Sequence, residues 1–229
     1  ALFTGKITGP ADIFVSAADK TGTVRFAPAS GVTSDFDGNL SVIRGTFRAK
    51  GDSALGSTVG TTTCVSTKTG DVYDNFIDFE GMETAETLWL SRGDINWSRV
   101  DTILFTGDCT FNGPICAPSQ KQEFGWNFKT GITLTFNGGL GSQDKPFYQL
   151  MGSEQSSANI VFNSPAFVKT TWYWMDGVNT MNAPLLGDCK LCFRGGKLSS
   201  RRLIERAGDG HIVHDARLVL KLVFRGGCA

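Results

Sequence analysis

Thr110-Phe111-Asn112-Gly113 returns as Thr135-Phe136-Asn137-Gly138 and, more loosely, as Val161-Phe162-Asn163-Ser164. The phenylalanines are 25 and then 26 residues apart, a spacing at which repeat architectures occur. How this echo is read decides the fold. On one reading each Phe-Asn closes a rung of a parallel β-helix, with the asparagines at equivalent turns. On the other, Phe-Asn-Gly is a strand-to-turn phrase used more than once, because Asn and Gly both tolerate left-handed backbone. The residues between the echoes do not align, and nothing before Phe111 continues the period. Those observations favour the second reading: an all-β fold, an antiparallel β-sandwich or jelly roll, with a parallel β-helix as the alternative.

The flanking sequence agrees with an all-β chain. Asp12–Val15 and Thr23–Phe26 alternate around Lys20-Thr21-Gly22 and predict a hairpin. Leu40–Arg48 follows, with Gly45 at a bulge. Thr61–Thr67, Val72–Phe79, two or three strands between Leu88 and Phe111, Gly131–Phe136, Asn159–Phe162 and Phe167–Met175 continue the pattern. Lys190-Leu191-Cys192-Phe193-Arg194-Gly195-Gly196 recurs as Lys221-Leu222-Val223-Phe224-Arg225-Gly226-Gly227, predicting two strands that share a sheet or face each other. The one clear helix signal is Ser199–Ala207, with a serine cap, Leu203 and Ile204 on one face, and Gly208 as the stop. Met82–Leu90 is a weaker helix signal. No linker divides the chain, so residues 1–229 are expected to form a single β-rich domain.

Composition narrows the function. The 229 residues include 28 Gly and 17 Phe, with 22 Lys/Arg balanced by 22 Asp/Glu. Zero net charge offers little repulsion between copies. From Lys190 onward nine basic residues stand against three acidic ones, so this part carries +6 and the preceding part −6. No apolar run is long enough for a membrane helix, and no leader pattern opens the chain. No basic arm or interleaving of basic and aromatic residues is present, and nucleic-acid binding is not expected.

Candidate chemistry is sparse. His211 and His214 are the only histidines, and no nucleophile elbow, P-loop or dinucleotide fingerprint occurs. Asp78/Glu80 and Glu83/Glu86 are paired carboxylates, a weak pointer to a hydrolase. Cys189 and Cys192 with His211 and His214 supply four zinc-type ligands, though H-x₂-H is tighter than the usual spacing. Cys192 is equally a core residue matching Val223. Asn-Gly-Pro between Cys109 and Cys116 predicts a turn that closes a disulfide if the protein matures outside a reducing compartment. Asp35–Asn39 resembles part of a calcium loop but lacks its later ligands. No cofactor is expected.

These features predict a protein that is not an enzyme: a self-assembling structural subunit of a viral particle, phage included, such as a capsid shell, decoration or tail-tube protein. Its partners would be copies of itself and other virion proteins. Arg201, Arg202, Arg206, Cys228, Trp172 and Trp174 are the assembly candidates. The alternative is a secreted or surface β-sandwich that binds carbohydrate through exposed aromatics. A hydrolase using an acidic pair ranks last.

Overall fold

The computed structural model describes residues 1–19, 21–66, 68–69, 72–92, 102–117, 123–152, 158–174, 178–187, 190–193 and 197–200. Among them the chain is a parallel β-solenoid of about five turns. One stacked column runs Leu40, Thr62, Leu88, Ile115, Leu140, Ala166, Leu185, each residue paired with the next in parallel register. The steps from Thr62 onward are 26, 27, 25, 26 and 19 residues. A second, middle column stacks Phe26, Ala49, Phe79, Phe105 and Phe128. A third stacks Thr84, Phe111, Phe136, Phe162 and Met181. All pairings among the described residues are parallel except Arg92 opposite Glu123 and the small Lys68–Thr69/Val72–Tyr73 hairpin.

Alternation gives each strand an inner and an outer row. Ile103, Phe105, Cys109 and Phe111 point inward and are buried, as are Leu134, Phe136, Ile160 and Phe162 on the rungs that follow. Like residues therefore stack on like. The Phe111, Phe136 and Phe162 rings lie nearly parallel, with centroids 5.4 and 5.1 Å apart and planes 13° from parallel at each step. Phe79 and Phe105 stack at 5.4 Å. Such contacts add about 1 kcal/mol per pair to the burial of each ring.

The corners explain two glycines. A Cβ on Gly113 would come within 2.2 Å of the Glu86 carbonyl, and one on Gly138 within 2.1 Å of the Gly113 backbone. Successive corners approach too closely for a side chain pointing at the preceding rung.

This architecture corrects the expected antiparallel sandwich; the parallel β-helix alternative fits. The misreading has a physical source. Parallel strands covered on both faces read as unbroken apolar runs, but solenoid strands face solvent on one side and so alternate like antiparallel ones. The predicted hairpin is also corrected: Ile13–Ser16 and Thr23–Phe26 do not pair with each other, and both run parallel to Leu40–Ala49. The bulge near Gly45 is present in shifted form. Val15 and Ser16 face Val42 and Arg44, so Ile43 is the extra residue, while Gly45 adopts φ 90°. Met82–Leu90 is the end of one strand, a corner and the start of the next. Ser199 and Ser200 belong to a strand, Lys197–Ser200, where the helix was expected to begin; residues 201–207 lie outside the described residues. Lys190–Phe193 is a strand as expected, whereas Lys221–Gly227 is outside them.

Candidate functional site

The asparagines of the echo form the most regular polar feature. Each sits one residue past an inward aromatic or methionine, where the strand turns, and its backbone N–H donates to the preceding rung at 2.7–2.8 Å. Its side chain stays outside and joins a ladder. Asn182 Nδ2 donates to Asn163 Oδ1 (2.7 Å), Asn163 to Asn137 (2.7 Å), Asn137 to Asn112 (2.6 Å), and Asn112 to Glu83 Oε1 (2.7 Å). All the amides point the same way. A carboxylate only accepts hydrogen bonds, so Glu83 fixes the direction: the amide beside it must present its NH₂, and each later one must follow. Aligned amides polarise one another, and Glu83 places negative charge at the donor end.

A second outward cluster crosses the middle column, where Arg25, Arg48 and Asp78 stand on successive paired strands. Arg25 donates to Glu80 from Nε at 2.7 Å and also contacts it through Nη2. Arg48 reaches Glu80 Oε1 at 3.2 Å and Asp78 Oδ2 at 3.7 Å. Thr106, the extra residue where Phe79 faces Phe105 and Glu80 faces Gly107, donates to Asp78 Oδ1 at 2.8 Å. The Asp78 side chain is only 3% exposed. Burial raises its pKa, against the lowering effects of the Thr106 hydrogen bond and the Arg48 charge. Both carboxylates of this pair are thus engaged in tying rungs together.

The other pair separates. Glu83 ends the ladder, while Glu86 turns into the corner, 1% exposed, where Thr62 Oγ1 donates to it at 3.1 Å. Burial pushes the Glu86 carboxyl up to about 8. Glu86 occupies the corner position that is glycine at Gly60, Gly113 and Gly138, so a buried acid here has no counterpart on those rungs.

The disulfide expected between Cys109 and Cys116 is not formed; both are free thiols, as is Cys64. Cys109 stacks inward opposite Leu134, two residues before the Phe136 column, whereas Cys116 stands beside Trp89 across the corner. The Asn-Gly-Pro segment carries the chain from one face to the next instead of folding it back. Burial raises Cys64 to about 12 and Cys109 to about 11. Asp35, in the segment resembling a calcium loop, pairs with Lys6 at 2.8 Å, and Phe36 enters the core.

Of the zinc candidates, Cys192 lies on the strand Lys190–Phe193, while Cys189, His211 and His214 are outside the described residues. Trp172 and Trp174 lie on Ala166–Trp174. Arg201, Arg202, Arg206 and Cys228 are outside the described residues. Asn182 was missed by the sequence reading because methionine replaces phenylalanine before it. A wider phrase finds it: Asn112-Gly113-Pro114-Ile115, Asn163-Ser164-Pro165-Ala166 and Asn182-Ala183-Pro184-Leu185 share a proline before the next inward residue.

No family model, no curated protein and no solved structure matches the chain.

Proposed function

We propose that the chain is a structural, self-associating protein, a stiff solenoid that serves as a building block of a viral particle. One observation carries the self-association: among the described residues one strand edge is left uncovered. Ile13–Ser16 pairs with Leu40–Arg44 on one side and with no second strand among the described residues. Phe14 on that strand is 64% exposed, and Leu2, Phe3 and Ile43 are exposed near the same end. Open strand edges recruit further strands. The neutral balance of charge does not oppose this. The virion setting rests on composition, Gly- and Phe-rich and without a recognisable catalytic motif. Light scattering of the full chain over a wide concentration range tests the reading. Concentration-dependent oligomers that Phe14→Glu abolishes, with circular dichroism unchanged, are expected. A wild type that stays monomeric throughout contradicts it.

A second reading, a secreted or surface carbohydrate-binding protein, is favoured by one feature. Outward Thr110 and Thr135 stand in register on successive rungs, as do Thr133 and Asn159, and Thr180 continues the first row beyond Val161; with rungs about 4.8 Å apart, they make a face rich in hydroxyl and amide groups. Retention on insoluble polysaccharide, lost in Thr133→Ala/Thr135→Ala, would support it.

A further inference from the structure

We propose that Asn137, with Asn112 beside it, is a deamidation site whose conversion to aspartate breaks the ladder against Glu83. The two residues open the chain's two Asn-Gly pairs. Gly138 and Gly113 are imposed by packing, since a Cβ on either would strike the backbone of the preceding corner. Asn163 and Asn182 are followed by Ser164 and Ala183. The stacking geometry therefore places the least hindered successor, glycine, after these two asparagines.

In the reaction the Gly138 backbone nitrogen gives its proton to solvent base and attacks Cγ of Asn137. The carboxamide C–N bond breaks, ammonia leaves, and a succinimide remains. Water opens the ring to aspartate or isoaspartate. In the closed ladder three contacts oppose the attack. Gly138 N–H donates to the Phe111 carbonyl at 3.1 Å. Asn137 Nδ2 is held by Asn112 at 2.6 Å, and its Oδ1 receives Asn163 at 2.7 Å. The reaction thus waits on local opening of the corner.

The product cannot rejoin the ladder. Aspartate at 137 still accepts from Asn163 but has no hydrogen to give Asn112. Asn112 must reverse its amide to donate toward 137, and its Oδ1 then faces the Glu83 carboxylate, acceptor against acceptor. The ladder accommodates one carboxylate, and Glu83 already supplies it. Glutamine at 83 removes the conflict, because its NH₂ can donate to the reversed Asn112.

The test has two arms, both on the full chain. Wild type aged at mildly alkaline pH is separated by anion exchange, and its more acidic form is mapped by peptide mass and unfolded in urea. The new acid is expected at 137 or 112 ahead of 163 and 182, forming several-fold faster in denatured chain, with a lowered urea midpoint in the acidic form. In the second arm, Asn137→Asp is expected to lower the midpoint, and Glu83→Gln in the same chain to recover most of that loss. Conversion at 163 or 182 first, an acidic form with the wild-type midpoint, or a double variant as weak as the summed singles would overturn the proposal. The first arm needs no variant to fold.

Discussion

The middle column and the Phe136 column solve one problem with different chemistry. Both bury stacked phenylalanines, Phe79 on Phe105 and Phe111 on Phe136 on Phe162. Outside the first, rungs are tied by charges: Arg25 and Arg48 against Asp78 and Glu80. Outside the second, they are tied by neutral amides with one acid at the end. A charged tie depends on opposite signs meeting on neighbouring rungs, and salt screens it. An amide donates on one side and accepts on the other, so the same residue serves on every rung. That is why the amide column leaves a visible repeat in the sequence and the charged column leaves none.

The largest expected effect lies inside both columns. Phe136→Ala removes a ring stacked on both sides and should cost about 3–5 kcal/mol, read as a shift of the urea midpoint. Phe105→Ala should cost as much; a far smaller loss in either would mean that only one column is tightly packed.

The next effect is a pH dependence from Glu86, at the corner before the Leu88 column. The folded chain holds this proton up to about 8, whereas an exposed glutamate releases it near 4.5. Between those values the folded state binds more protons than the unfolded one, so stability falls as pH rises and levels off above the upper value. The loss across the window is of order a few kcal/mol. Glu86→Gln should flatten the slope and raise stability at the alkaline end; an unchanged slope would place its source elsewhere.

The smallest effect separates the two ties. Arg48→Ala should cost about 1 kcal/mol at low salt and less at high salt, because its side chain is 44% exposed. Asn163→Ala should cost about 1 kcal/mol at either salt concentration. Equal salt sensitivity would erase the distinction between the columns.

Much of this was legible in the sequence, and what was not has definite causes. The strands and the Phe-Asn echo could be read, but their direction could not, because period-2 patterning is common to parallel and antiparallel strands with one wet face. The repeat has no legible copy before Phe111 because the preceding corner reads Thr84-Ala85-Glu86, with Glu83 one residue earlier taking the acceptor's place. After Phe162 the phrase changes its first letter, because Met181 fills the next inward position. Between echoes the inner row is interchangeable in chemistry but not in letters: Cys109, Leu134 and Ile160 stack on one another. The Arg25–Arg48–Asp78–Glu80 cluster was half visible, as an acidic pair whose basic partners lie 30 or more residues upstream. The disulfide between Cys109 and Cys116 failed because Asn-Gly-Pro was read as a reversal and is a corner.

The register of the rungs tests the account most directly. Thr110, Thr135 and Val161 face outward on three successive strands, each paired with the next. Neighbouring strands lie about 4.8 Å apart, within disulfide reach, and alternate strands lie about twice as far, beyond it. Cysteine pairs introduced at 110/135, 135/161 and 110/161 can be oxidised and mapped by mass. The parallel solenoid predicts rapid intrachain bridges at 110/135 and 135/161 and none at 110/161. Failure of both neighbouring pairs, or a 110/161 bridge forming as readily as either, would contradict it.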